Sequence, residues 1–122
     1  MSRPVLAEAQ IHPAIHETIA TYQSDLLDEV RAAIERDAIV VVGMAQNPVV
    51  KKARKLLKER GLAFTYLEYG SYLGEWRRRL AVKMWTGWPT FPMVFVKGTF
   101  VGGFRELTKL AEAGELDAML GG

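Results

Sequence analysis

Hydrophobic residues form two different patterns along the first third of the chain, one periodic and one continuous, and each pattern predicts one kind of element. From residue 13 to about residue 36, apolar side chains recur at spacings of three and four, as on an amphipathic helix. This run is either one helix or two, because Ser24-Asp25 inside it is a candidate N-cap that would leave residues 1–23 as a separate arm. Residues 38–43, Ala-Ile-Val-Val-Val-Gly, form a β-branched run typical of a central strand covered on both faces.

The next segment predicts a parallel strand, helix, strand unit. A helix follows from Asn47-Pro48 to Arg60, and Gly61 is placed to end it. Its predicted inward stripe consists of Val49, Ala53, Leu56 and Leu57. Residues 62–69 alternate well enough to form a second strand, and a right-handed crossover is the expected connection.

A further helix is indicated by four apolar residues spaced as one face. They are Leu73, Trp76, Leu80 and Met84. On the other face, Arg79 and Lys83 lie four residues apart. They are either solvated or close enough to grip one carboxylate together.

The stretch from Trp88 to Gly103 predicts a turn and a β-hairpin. Thr90-Phe91-Pro92 is a candidate cis-proline turn, and Lys97-Gly98 is a tight turn between two short strands. Gly102-Gly103 ends the pairing, allows close backbone approach and leaves N–H groups free. After it, residues 104–120 predict a last helix that Gly114 interrupts.

Length, composition and charge exclude several classes of function. With 122 residues the chain predicts one domain, and its net charge of +2 is too small to indicate nucleic-acid binding. No apolar run is long enough for a bilayer and the N-terminus lacks a signal-peptide core, so we expect no membrane segment and a cytoplasmic location. The chain has no cysteine, which removes disulfides, thiolate nucleophiles and thiolate metal ligands.

Two sets of charged or titratable side chains, a basic helix and a pair of histidines, are candidates for binding. The helix that begins at Pro48 has a strongly basic composition: Lys51, Lys52, Arg54, Lys55, Lys58 and Arg60 stand against Glu59 alone. This surface is either solvated or a docking surface for an acidic partner. His12 and His16 could share a helix face, but they lack a third ligand nearby, and we expect no metal site.

The order of elements is that of the thioredoxin fold, and the residues resemble the glutaredoxin family over about Ser24 to Leu120. The motifs that carry the resemblance are Trp88-Pro-Thr-Phe-Pro, the run from Val94 to Gly-Gly at 102–103, and Ala113-Gly-Glu-Leu. The first motif resembles the monothiol branch, while the short loop before Asn47 resembles dithiol members, so the branch stays open. The resemblance implies an α/β fold with a four-stranded mixed sheet flanked by helices, residues 24–122, and a helical extension, residues 1–23.

The resemblance also implies that the family's reaction is lost. The reactive Cys-X-X-Cys or Cys-X-X-Ser motif corresponds to Asn47-Pro48-Val49-Val50, so Asn47 and Val50 occupy the reactive positions. An amide cannot replace the attacking thiolate, and an iron–sulfur cluster loses its protein ligand. Asn47 before Pro48 is also a favourable N-cap without any chemistry.

The glutathione groove of the family is implied only in part. The matching positions are Arg79, Lys83, Thr90, Phe91, Pro92, Gly102 and Gly103. Met44 replaces a lysine, and Arg105 replaces an acidic residue where the ammonium of glutathione would lie. We therefore expect weak glutathione binding, and a better match for an anion that has carboxylates but no ammonium.

Three hypotheses follow. The first is a glutaredoxin-related protein without a catalytic cysteine, a binding or regulatory module for a small anionic ligand or an acidic protein. The second is glutathione-dependent redox activity in which glutathione supplies the only thiol. The third is a homodimer formed through the N-terminal arm, whose apolar residues are Ile11, Ile15, Ile19 and Tyr22.

Overall fold

The computed structural model describes residues 3–121 and shows a four-stranded sheet covered by helices on both faces. In chain order, a short 3-10 helix Glu8–Gln10 precedes six helices and four strands. They are α1 Pro13–Thr21, α2 Ser24–Arg36, β1 Ile39–Gly43, α3 Pro48–Glu59, β2 Thr65–Glu68, α4 Trp76–Thr86, β3 Met93–Val96, β4 Thr99–Gly102, α5 Phe104–Glu112 and α6 Glu115–Met119.

The sheet has the mixed order β2-β1-β3-β4. Strand β1 runs parallel to β2, with Val40 opposite Thr65, and antiparallel to β3, with Val41 opposite Val94. Strand β4 returns from β3 through Lys97-Gly98, both with positive φ, as a two-residue hairpin turn requires. The predicted thioredoxin-like fold is confirmed.

Alternation along the central strands divides the core into two layers. Val40 and Val42 of β1 belong to the cluster that includes Leu26 of α2, whereas Ile39 and Val41 belong to the cluster that includes Leu57 of α3. Helices α2 and α4 thus cover one face of the sheet, and α3, α5 and α6 cover the other. Because both faces are covered, β1 is buried over its whole length.

The N-terminal run forms two helices. Gln23 separates α1 from α2 in a left-handed conformation with φ of 51°, and Ser24 is the first helical residue rather than the predicted N-cap. Residues 3–23 pack on the domain through both ends of the segment. Arg3 Nη2 donates a hydrogen bond to Trp85 O at 3.3 Å, and Tyr22 packs against the α2 side of the core. The division into an arm, 1–23, and a domain, 24–122, stays a prediction, and its ends at residues 1, 2 and 122 lie outside the described residues.

One predicted face is confirmed in part and another is wrong. In α3, Ala53 and Leu57 are buried as predicted and Leu56 is half-buried, but Val50 is buried instead of Val49. The stripe predicted to face inward at α4 is exposed: Leu73, which lies before the helix begins, is 97% exposed, Trp76 56% and Met84 57%.

The inward face of α4 is formed instead by Arg79, Ala81 and Val82. Ala81 and Val82 on that face belong to the same core cluster as Leu26 of α2. The second strand is also shorter than predicted, since pairing begins at Thr65 rather than at Leu62.

Candidate functional site

Asn47 and Val50 lie at the start of α3, and they occupy the positions that are implied to be reactive by the family resemblance. Asn47 Oδ1 accepts hydrogen bonds from Val49 N at 2.9 Å and Val50 N at 3.1 Å, and Pro48 is the first helical residue. Asn47 is therefore the N-cap that the sequence predicted. Val50 is 1% exposed and belongs to the core. These two side chains complete a helix end and supply no nucleophile.

A groove of about 320 Å³ lies beside this helix end. Five of the predicted site residues line it: Thr90, Phe91, Pro92, Gly103 and Arg105. The Phe91–Pro92 peptide bond is cis, as the motif predicted. The loop before β3 and the first turn of α5 thus form the two walls of the groove.

Four further lining residues were not predicted: Val49, Trp88, Phe104 and Glu106. Trp88 packs edge-on against Phe100, with ring centroids 5.5 Å apart. Its Nε1 is buried and donates to no acceptor within residues 3–121. Glu106 could have been found from its position three residues after Gly103, the spacing of an acidic side chain that reaches back to a helix start.

The two glycines at the end of β4 have different functions. Gly102 has φ of 107°, and a Cβ there would lie 2.8 Å from Glu106 Cγ, so the position requires glycine. Gly102 itself does not line the groove. Gly103 N donates to Glu106 Oε1 at 2.9 Å, and a Cβ on Gly103 would lie 3.4 Å from Pro92 O. The absence of a side chain keeps this wall close to the cis-proline loop.

The predicted cations do not converge as one cluster. Arg105 is exposed on the groove wall. Lys83 Nζ lies 5.6 Å from the centroid of the Phe91 ring, which places it beside the groove rather than in its lining.

Arg79 is oriented into the protein. It is 8% exposed, and its Nη1 donates to Tyr69 O at 3.0 Å and to Gly74 O, both in the segment that leads into α4. The interpretation of Arg79 as a solvated residue is wrong, because these carbonyls satisfy its buried guanidinium. Arg79 thus bonds within the fold, whereas Lys83 lies beside the groove.

Tyrosines near the old reactive end remain protonated. Tyr66 Oη donates to Glu68 Oε1 at 2.8 Å. The pKa of Tyr66 is raised mainly by burial and secondly by this hydrogen bond. Tyr69 Oη donates to Glu29 Oε1 at 2.6 Å, and the same two causes raise the pKa of Tyr69. Neither phenol supplies an anion at neutral pH.

The histidine pair is engaged locally. His12 Nδ1 accepts from Ala14 N at 3.0 Å, and His16 Nε2 lies 2.8 Å from Ile11 O. Among residues 3–121, no group of three His, Cys, Asp or Glu side chains is arranged to hold a metal ion. Nor does this part of the chain contain a helix of the length and apolarity that crossing a membrane requires.

Comparison with known proteins assigns the family. The glutaredoxin family model matches residues 39–101. A glutaredoxin-like protein of Dictyostelium discoideum is 49% identical over 102 residues, which cover 84% of this chain and 83% of that protein. The chain belongs to the glutaredoxin family. It is thus a glutaredoxin-related protein without a single cysteine.

More distant relatives match only in part. Monothiol glutaredoxin-4 of Schizosaccharomyces pombe is 33% identical over 81 residues, 64% of this chain but only 32% of that longer protein. A solved buckwheat glutaredoxin–glutathione complex superposes with a TM-score of 0.71 at 22% identity, covering 82% of this chain and 91% of the buckwheat chain. At this identity the likeness shows the fold of this glutaredoxin and nothing finer.

Proposed function

We propose that this glutaredoxin is a non-catalytic binding module whose groove takes a small ligand with carboxylates and no ammonium. The observation that supports the proposal is that the groove is present while the helix end beside it has no nucleophilic side chain. Thr90, Phe91, Pro92 and Gly103 still form the walls, while Asn47 occupies the reactive position as an N-cap.

Charge on the groove wall supports the choice of ligand. Arg105 is exposed on this wall. Lys83 lies next to the groove, with its Nζ 5.6 Å from the ring centroid of Phe91. Glu106 also lines the groove, but its Oε1 accepts the hydrogen bond from Gly103 N. An ammonium group near Arg105 would be repelled, whereas a carboxylate there would be attracted.

Glutathione itself is the natural reference ligand, because the buckwheat relative was solved as a complex with it. In our proposal this chain binds glutathione weakly, since Arg105 is a cation at the position where the family resemblance implies an acid. An iron–sulfur cluster does not fit these residues: Asn47 Oδ1 is used by two N–H groups, and the chain has no thiolate to offer.

A basic surface on α3 supports an acidic protein as the second kind of ligand. Lys51, Arg54, Lys55 and Lys58 line one concave patch, and Glu59 forms an ion pair with Lys55 at 3.7 Å. Because α3 begins at the groove, with Val49 in its lining, an acidic segment could contact the patch and the groove together.

A titration followed by backbone amide NMR tests the proposal. The probes are S-methylglutathione and its glutaryl analogue, in which a hydrogen replaces the ammonium; neither has a free thiol. The analogue is expected to shift the amides of Phe91, Gly103 and Arg105. An absence of shifts at these residues at millimolar analogue would contradict the proposal.

A turnover assay separates binding from redox activity. We expect glutathione to reduce hydroxyethyl disulfide no faster with the wild-type protein than in buffer alone, because the protein supplies no thiolate. Turnover above buffer would instead support activity in which bound glutathione supplies the thiol.

A further inference from the structure

Helix α4 and the turn before it present large apolar side chains to solvent. The stripe Leu73, Trp76, Leu80 and Met84, which we call the α4 stripe, starts in the turn before α4 and has the spacing of a buried face, yet each member is at least 39% exposed. The inward face is formed by Arg79, Ala81 and Val82. An amphipathic helix with its apolar face outward has a surface that is suited to a partner.

The α4 stripe is continuous with the N-terminal arm. Ile19, Tyr22 and Leu27 face Ala81, Met84 and Trp85 across a groove of about 170 Å³. Ile15 and Ile19 of the arm are 49% and 51% exposed. Arg3 holds the beginning of the arm against α4 through Trp85 O. The arm and α4 thus present one apolar surface made of two adjacent parts.

The two parts differ in charge. Around the α4 stripe, Arg77 and Arg78 are exposed, and Arg77 stacks on Trp76 with its Cζ 4.8 Å from the ring centroid. Glu75 next to the stripe pairs with Arg78 at 3.6 Å, which leaves Arg77 as the exposed cation on Trp76. The arm carries exposed Glu8 and Glu17 against Arg3, so it is net negative. Two α4 stripes placed face to face would bring like charges together, whereas the arm of one copy against α4 of another pairs opposite charges.

We propose that a second copy of this chain covers this surface in a two-fold dimer. In it, the arm of each protomer lies on the α4 stripe of its partner, so the same contact occurs twice. Trp76 and Arg77 are the expected anchors, because tryptophan and arginine dominate the energetics of interfaces. None of the stripe or arm residues named here lines the ligand groove at Pro92, so this inference does not depend on the proposed function.

Complementation between two variants of the full chain tests the geometry. The arm variant is Leu6→Lys with Ile15→Lys, and the stripe variant is Trp76→Glu with Met84→Glu; all four positions are exposed. Mass is measured by sedimentation velocity over a wide concentration range. Circular dichroism and a thermal melt verify that each variant is folded. Val49→Lys is the matched control, an exposed apolar residue in the ligand groove.

The expected result is a dimer for the wild type and the control, a monomer for each variant alone, and a dimer when the two variants are mixed. Mixing restores one native contact and makes the other a pairing of Lys with Glu. A monomeric wild type at every concentration would overturn the proposal. So would an arm variant that still dimerises, which would mean that stripe packs on stripe. A monomeric wild type that binds phosphatidylserine vesicles would identify the stripe as a membrane-binding surface instead.

Discussion

Helices α3 and α5 both begin beside the groove, and they present their first N–H groups in different ways. At α3, Asn47 Oδ1 accepts from two of these groups, so the chain's own side chain satisfies the helix end. At α5, the N-cap is Gly103, which has no side chain to do so, and Glu106 binds only the N–H of Gly103 itself.

The N–H groups at the start of α3 are thus capped by a side chain, whereas Gly103 offers no side-chain cap to those at the start of α5. Both helix ends carry the partial positive charge of a helix N-terminus. The family resemblance implies a reactive cysteine at the α3 end, where the neutral amide of Asn47 instead accepts hydrogen bonds from Val49 N and Val50 N. At α5 the charge still faces the groove, next to the cis-proline loop.

Arg79 is expected to stabilise the fold rather than to contact the ligand. Arg79→Met is expected to lower the free energy of unfolding by about 2 kcal/mol, because the carbonyls of Tyr69 and Gly74 lose a charged donor. Urea denaturation measures the change. Arg78→Met is the control, since Arg78 is exposed and forms a surface ion pair with Glu75 at 3.6 Å; its effect should stay within about 0.5 kcal/mol. Unchanged stability of Arg79→Met with weakened ligand binding would contradict this assignment.

Reversing the charge at the start of α5 should weaken anion binding. Arg105→Glu is expected to reduce the affinity for the glutaryl analogue about tenfold, or about 1.4 kcal/mol, because a carboxylate would then face a carboxylate. Calorimetric titration measures the affinity. Lys109→Glu, exposed on the same helix but outside the groove lining, is the matched control and should retain most of the affinity. Equal losses in the two variants would show that only net charge matters.

Removing the cap at the start of α3 should cost less. Asn47→Ala is expected to lower the free energy of unfolding by about 1 kcal/mol, since Val49 N and Val50 N lose their acceptor. Asn47→Asp retains a side-chain oxygen and serves as the control, with stability near that of the wild type. An alanine variant as stable as the wild type in urea would mean that the cap contributes nothing.

A thiol restored at the start of α3 reports the charge that remains there. In Asn47→Cys, the N-terminus of α3 is expected to lower the thiol pKa below the roughly 8.5 of free cysteine. The pH dependence of alkylation measures it. Lys58→Cys, exposed in the last turn of the same helix, should have a pKa at or above the free value. Equal pKa values at the two ends would mean that no favourable field survives at Asn47.

Local sequence signals predicted much of this arrangement. The Asn47-Pro48 cap and the hairpin at Lys97-Gly98 depend on residues adjacent in sequence, whereas the cis-proline turn at Phe91-Pro92 was favoured by the family resemblance; the structure confirms all three. The face of α4 could not be predicted in the same way. Periodicity identified the helix, but the carbonyls that accept from Arg79 belong to a segment whose position depends on the whole fold.

The groove could be predicted only in part for the same reason. Thr90 to Pro92 form a motif that is visible in the sequence, whereas Trp88 Nε1 lies 3.7 Å from the Cβ position of Gly103 only because β3 and β4 pair. The reversal of charge at Arg105 was implied by the family resemblance. Its position on a wall shared with Val49 and Glu106 required the structure.

The most direct test of the central claim, that this glutaredoxin retains a groove for anions without an ammonium, compares two ligands on the wild-type protein. Isothermal titration calorimetry measures the affinities for S-methylglutathione and for its glutaryl analogue at the same pH and salt concentration. We predict tighter binding of the analogue, since it alone places no positive charge near Arg105. Equal affinities, or tighter binding of S-methylglutathione, would contradict the claim.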